Sequence, residues 1–294
     1  MKPLKKEDIK QEVFDLYDDY AHNKLERRDF VQKLSVYAVG GLTVPSLMSF
    51  LMPDYQNTFL VDKNNPDLDS GFITYDSTKG GGEIKALLSK PKSIEGTLPG
   101  IVVVHENRGL NPYIEDTARR AALAGFVTIA PDALSPLGGY PGNDDEGREM
   151  QKTRDRDEML EDFIAAFEYL KNHENCNGKI GVVGFCFGGW ISNMMAVKVP
   201  ELAAAVPFYG GQPTEGIENI NAPLMLQYAG LDERVNAGWP AYEKALNELG
   251  KENVAYFYPE VNHGFHNTST PRYDEPAAEL AWSRTIEFFK EKLI

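Results

Sequence analysis

Apolar positions at the start of the chain fall on one helical face: Ile9, Val13, Leu16, Tyr17 and Tyr20. An uncharged run follows from Leu34 to Pro53, but Gly40, Gly41 and Pro45 make it a poor membrane-spanning helix. From residue 58 the rhythm becomes extended. "TFLVD", "GFITYD" and "GEIKALLSK" read as antiparallel strands separated by the turn signals "NNPD" and "TKGGG". After Pro99 strands and helices alternate. The strands are "GIVVVHE", "FVTIAPD", "KIGVVGF", "AAAVPFY", "PLMLQYA" and "VAYFYP". The helices between them include "NPYIEDTARRAALAG", "RDEMLEDFIAAFEYLKNH", one from Gly188, "WPAYEKALNELG" and a final "EPAAELAWSRTIEFFKEKL". A polar, Gly/Pro-rich stretch, "ALSPLGGYPGNDDEG", interrupts them and reads as loop. Such alternation predicts an α/β fold, a mostly parallel sheet with helices on both faces, whose chemistry gathers at the C-terminal strand ends.

The N-terminal segment has two readings. Arg27, Arg28 and Phe30, followed by the uncharged run, resemble a twin-arginine export signal spanning residues 27–53. The helical face preceding them reads as folded structure, and no A-x-A cleavage site follows the run. The expectation is a helical extension over residues 1–57, a main domain over 58–294 and a cytoplasmic location, with export to the periplasm as the alternative. An uncleaved apolar run must be buried against the domain or a second chain, so a homodimer is one expected form.

Composition narrows the function. Over 294 residues the net charge is −14, with no Lys/Arg cluster to neutralise phosphates, which argues against nucleic acid and against anionic membrane surfaces. Two cysteines are too few for a disulfide scaffold or a cysteine-rich zinc site. Cys176 and Cys186 fall at opposite ends of one expected strand rising about 3.3 Å per residue. That exceeds the roughly 7 Å reach of a disulfide, so both are expected as free thiols.

Three strand ends carry candidate chemistry. "GFCFGG" places Cys186 in the G-x-nucleophile-x-G turn, where Gly184 and Gly188 let neighbouring elements approach and the following helix aims its N-terminus at the thiol. Asp232 follows "PLMLQYA", where an aspartate also serves as a helix cap, and His263 follows "VAYFYP". The order nucleophile, acid, histidine is that of α/β-hydrolases. His263 then draws the proton from Cys186, and Asp232 fixes the imidazole tautomer. The backbone N–H groups of Phe187 and Asn107 are the expected oxyanion donors. His263 and His266 form H-x-x-H, but the segment reads as loop without a third ligand, so no metal is expected. His105 reads as a strand-end packing or hydrogen-bonding residue.

"HENRGLNPYIEDTARRAALAGF", "GFCFGGW", "LDERVNAGWPAYE" and "VNHGFHN" together resemble the dienelactone hydrolase (carboxymethylenebutenolidase) family, over roughly residues 58 to 294. The resemblance implies an α/β-hydrolase fold, a Cys186–His263–Asp232 triad and no cofactor. It also implies that Glu106 interacts with the thiol in the resting enzyme. A carboxylate there raises a thiol's pKa and protects it from oxidation. Members that cleave dienelactone hold its carboxylate with arginines, one of them four residues after the catalytic histidine. Here that position is Asn267. Arg108 and Arg148 are candidate replacements, and Tyr140 a candidate pocket residue; each also reads as an ordinary surface side chain. The expected activity is hydrolysis of small esters or lactones through a thioester. The alternative is a binder or thiol sensor on the same fold, against which the intact acid and base argue.

Overall fold

The computed structural model describes residues 4–56 and 58–294. Three short helices open the chain, α1 (Gln11–Ala21), α2 (Arg27–Leu34) and α3 (Val44–Leu51). The predicted helical face is the buried one. Val13, Phe14, Tyr17 and Tyr20 pack with Phe30 and Leu34 of α2 and Leu47 and Leu51 of α3 into a separate apolar cluster. Tyr20 stacks on Phe30 with ring centroids 4.5 Å apart. The uncharged run is not one helix. Gly40 and Gly41 at φ 63° and 95° turn the chain, and Thr43 restarts it by accepting from the Ser46 N–H at the cap of α3. Among the described residues no helix is long and apolar enough to cross a membrane.

The remainder is an eight-stranded sheet. Its elements are β1 (Leu68–Ser77), β2 (Gly82–Pro91), β3 (Leu98–Val104), α4 (Pro112–Leu123), β4 (Val127–Pro131), α5 (Asp144–Lys152) and α6 (Arg156–Lys171). They continue with β5 (Cys176–Phe185), α7 (Phe187–Lys198), β6 (Ala204–Phe208), β7 (Leu224–Ala229), α8 (Glu233–Asn236), α9 (Trp239–Glu248), β8 (Asn253–Tyr258) and α10 (Glu275–Leu293). The order is β1-β2-β4-β3-β5-β6-β7-β8, with β2 antiparallel to both its neighbours and every other pair parallel. Central strands alternate their side chains between two cores. On β5, Ile180 and Val182 join Phe163 and Phe167 of α6, whereas Val183 and Phe185 join Ile114 of α4 and Phe289 of α10.

Two expectations fail. "TFLVD" forms no strand, because the backbone N–H groups of Leu60 and Val61 donate to the Asp116 carboxylate of α4 at 3.1 and 2.8 Å and need no strand partner. The stretch read as loop ends inside a helix. Asn143 caps α5 by accepting from the N–H groups of Asp145 and Glu146, and the acidic first turn suits the helix dipole.

Candidate active site

Cys176 begins β5 and Cys186 follows its end, both as buried free thiols. Cys186 takes φ +58°, a left-handed conformation that non-glycine side chains rarely adopt, and caps α7. The crossing of β5, α7 and β3 explains the flanking glycines. A Cβ on Gly184 would stand 2.0 Å from the Gly188 carbonyl oxygen, and one on Gly188 would stand 2.4 Å from that of Val104. The Cys186 N–H donates to the Phe208 carbonyl at 3.0 Å, fixing the turn to β6.

Asp232 follows β7 and serves both readings of its position. Its Oδ1 accepts from the Val235 N–H at 3.0 Å, capping α8, and its Oδ2 lies 2.6 Å from His263 Nδ1. Burial raises the Asp232 pKa, but the His263 ring outweighs it and holds the carboxyl below its ordinary value. With Nδ1 committed to Asp232, His263 Nε2 is buried with no hydrogen-bond partner among the described residues.

The thiol has a partner that no motif announced. His22, the C-cap of α1, places Nε2 3.2 Å from Cys186 Sγ. One atom each of His22, Cys186 and His263 lies within 4.8 Å of the others. The two imidazoles meet edge-on with centroids 4.6 Å apart. His22 Nδ1 donates to the Asp18 carbonyl at 2.8 Å and stands 3.2 Å from the Asp18 carboxylate. Burial pushes the His22 pKa down, but Cys186 and Asp18 outweigh it and set it above the ordinary histidine value. Asp18 also meets Arg234 at 3.2 Å and Arg272 at 3.5 Å. Burial raises its pKa, but His263, His22 and Arg234 hold it well below the usual carboxylate range.

Glu106 is buried beside this cluster, yet its hydrogen bond goes elsewhere: Oε2 accepts from the Asn267 side-chain amide at 2.7 Å. The interaction expected between Glu106 and the resting thiol is replaced by His22 on the sulfur and Asn267 on the carboxylate. Asn107 follows β3, and Phe187 opens α7 directly after Cys186; the Asn107 side chain donates to the Ala21 carbonyl of α1. The three candidate substrate contacts also have internal partners. Arg108 pairs with Asp144 at 2.9 Å and reaches the Tyr17 hydroxyl at 3.3 Å. Tyr140 donates its hydroxyl to Asp144 at 2.6 Å. Arg148 donates to the Tyr20 carbonyl and to Asn23, and lies over the Tyr20 ring at 4.3 Å. Neither arginine is a solvated surface charge. Both hold the N-terminal helices.

His105 and His266 are structural, as read for His105. The Ala133 N–H donates to His105 Nε2, and burial lowers the His105 pKa. His266 Nδ1 lies 2.7 Å from the Tyr113 hydroxyl, and burial holds its pKa well below the ordinary value. A cleft of about 620 Å³ opens between α1 and the loops bearing Asp232 and His263; Phe14, Asp18, Arg234 and Arg272 line it. A larger cleft of about 700 Å³, between β1 and α6, touches none of these groups.

The sheet order, the strained cysteine after β5 and the Asp–His pair after β7 and β8 define an α/β-hydrolase. The chain belongs to the dienelactone hydrolase family, whose model matches residues 84–293, and it is a hydrolase of that type acting on ester or lactone bonds. A second family model, described as YqhI-like, matches residues 1–39. The "Putative hydrolase fragment YghX" of Escherichia coli K12 is 51% identical over 114 residues, 39% of this chain and 97% of that protein. A "Putative carboxymethylenebutenolidase" of Saccharolobus solfataricus is 29% identical over 257 residues, covering 74% of this chain and 97% of the relative. The crystal structure of a "Putative Dienelactone Hydrolase" from Klebsiella pneumoniae superposes with a TM-score of 0.66 at 25% identity, over 76% of this chain and 99% of that one.

Proposed function

We propose that the enzyme cleaves small, uncharged carboxylic esters or lactones, without a cofactor, through a thioester on Cys186. The observation that carries this reading is the strained Cys186 turn facing a buried His263 whose Nδ1 lies 2.6 Å from Asp232. Two imidazoles face the thiol, His22 with Nε2 3.2 Å from Sγ and His263 with a ring nitrogen within 4.8 Å of it. Once the thiol is deprotonated, sulfur attacks the carbonyl carbon and the π pair moves to oxygen, facing the N–H groups of Asn107 and Phe187. Collapse expels the alcohol oxygen, which takes up a proton from an imidazolium. His263 then takes a proton from water as the hydroxide attacks the thioester, and returns it to sulfur. Asp232 stabilises the imidazolium that forms.

The charges around the site support an uncharged substrate, since the two arginines that line the cleft, Arg234 and Arg272, pair with Asp18. Asn267 stands where dienelactone-cleaving relatives carry an arginine, and Arg108 and Arg148 are engaged by Asp144 and the N-terminal helices. The domain boundary is placed near residue 57, with the helical extension retained in the working enzyme. Cleavage after residue 53 would remove His22 and every contact of α1, which favours a cytoplasmic enzyme over an exported one. Intact-mass measurement of the protein from its native cell tests this; a mass lacking the first 53 residues refutes it.

The activity test exposes wild type and Cys186→Ala to a panel of activated esters, neutral lactones and dienelactone. Acid quench and peptide mass spectrometry then locate any acyl group. Turnover with acylation at Cys186, lost in the variant and favouring neutral substrates, is expected. Equal turnover in the variant refutes the nucleophile, and preference for dienelactone refutes the substrate class.

A further inference from the structure

We propose that the N-terminal extension supplies a second catalytic base, His22 oriented by Asp18, which takes the Cys186 proton before substrate arrives. This rests on the reading of Cys186 as nucleophile, and it divides labour between the two imidazoles.

The geometry is that of a dyad. His22 Nδ1 is committed to Asp18, through the carbonyl at 2.8 Å and the carboxylate at 3.2 Å, so Nε2 is the nitrogen turned to Sγ at 3.2 Å. On the other side Asp232 holds His263 Nδ1 at 2.6 Å, and His263 Nε2 is buried without a partner. The thiol therefore lies between two carboxylate-backed imidazoles, and the hydrogen bond present is to His22.

The charged groups packed around His22 act in both directions, Asp18 and Cys186 for a protonated ring and Arg234 against it. Asp18 and the C-terminal end of α1 lie behind His22, and helix C-termini stabilise a cationic imidazole. Cys186 at the β5–α7 turn faces its Nε2. From α8, Arg234 Nη2 approaches to 3.1 Å from His22 Nε2 and 3.3 Å from His263 Nδ1. Arg272 balances Asp18 at 3.5 Å. The raised pKa of His22 agrees with a ring that holds a proton against the sulfur. Glu106, engaged by Asn267, is not the thiol's partner here.

The proton balance is simple. The S–H bond breaks and an N–H bond forms at His22 Nε2. Sulfur attacks the carbonyl carbon, and on collapse the departing alcohol oxygen takes that proton back, leaving His22 neutral. His263 then serves the water step with its Nε2, which has no partner among the described residues. His22 is thus the acylation base and His263 the deacylation base.

The first test needs no substrate. Full-length wild type, His22→Gln, Asp18→Asn and His263→Gln are alkylated with iodoacetamide from pH 5 to 9, each rate divided by that variant's own rate at pH 9 so that altered access cancels. Adducts are assigned to Cys186 by peptide mapping, and thermal melts confirm folding. The relative rate at pH 6 is expected to fall about 10-fold or more in His22→Gln, by less in Asp18→Asn, and little in His263→Gln. An unchanged profile in His22→Gln, or a loss only in His263→Gln, overturns the assignment. A second readout covers a His22→Gln chain that does not fold. Histidine ¹⁵N spectra should show the His22 imidazolium persisting to higher pH in wild type than in Cys186→Ala. Identical titration in the two proteins also overturns it. Neither measurement uses an ester, so failure here is separate from failure of the hydrolase reading. With an ester in hand, His263→Gln should accumulate acyl-enzyme and His22→Gln should not; faster acylation in His22→Gln would make the extension a plug and refute its catalytic role.

Discussion

The sheet domain and the N-terminal helices are held by different physics. The domain buries apolar side chains in two extensive clusters, one on each face of eight strands. The extension has a small cluster of its own, built on helices too short to be stable alone. Its polar ties to the domain run largely through arginines. Arg108 and Arg148 meet Tyr17, Tyr20 and Asn23, while Arg234 and Arg272 meet Asp18. Burial of apolar area is insensitive to pH; a docked row of ion pairs and an imidazole is not. The domain positions Cys186 by backbone geometry, and the extension acts on it through groups whose charge can change.

The largest effect separates the chemistry from the docking. Cys186→Ala should lower ester turnover on the order of 10⁴-fold, equivalent to about 5.5 kcal/mol of transition-state stabilisation. The extension should stay docked through its arginine contacts, as read by hydrogen exchange in residues 11–21. Release of α1 in this variant would mean that the thiol–His22 contact, and not the arginines, holds the extension.

Next comes the extension's core. Phe30 is fully buried and stacked on Tyr20, so Phe30→Ala should cost the extension about 3–5 kcal/mol. Limited proteolysis should then cut within the first 57 residues while the main calorimetric transition stays in place. A single shifted transition for the whole chain would show that the two regions unfold together. Gly184→Ala should do the opposite. Its Cβ would meet the Gly188 carbonyl oxygen at 2.0 Å, lowering the stability of the domain by about 3 kcal/mol through its main transition.

The same contrast explains what could be read from the sequence. Parallel strands such as β3 and β5 announce themselves as short apolar runs because both faces are buried. Cys186 and Asp232 could be picked out as candidates because each follows such a run, and His263 because it follows the apolar but only half-buried β8. "TFLVD" had the composition of a strand, but a carboxylate from α4 satisfies its backbone instead. The first turn of α5 was hidden by the Gly/Pro-rich residues before it and by its own acidic composition. His22 lies 164 residues before the thiol it touches, just ahead of the stretch 27–53 that also reads as an export signal. The only local hint was Asp18 four residues earlier on the same helix face. A pairing across that distance depends on where the extension docks, and periodicity within a helix carries no information on that.

The smallest effect is the pH dependence of docking, and its sign follows from two shifts. His22 has a raised pKa in the folded protein, so its contribution is fully present below about 6.5 and is lost as pH rises through the raised value. Asp18 has a lowered pKa, so its contribution is present above about 3.9 and is lost as pH falls through the lowered value. Docking from these two groups is therefore strongest between about 3.9 and 6.5, weakens on either side of that window and is lost beyond the two folded-state values. Hydrogen exchange in α1, followed from pH 5 to 9, should accelerate toward the alkaline end beyond the intrinsic rate increase, while β5 and β6 show no such excess. His22→Gln should remove the alkaline excess and leave the arginine contacts in place. A pH response in α1 that survives this substitution would assign docking to other titrating groups, and one that appears equally in β5 would erase the distinction between the two regions.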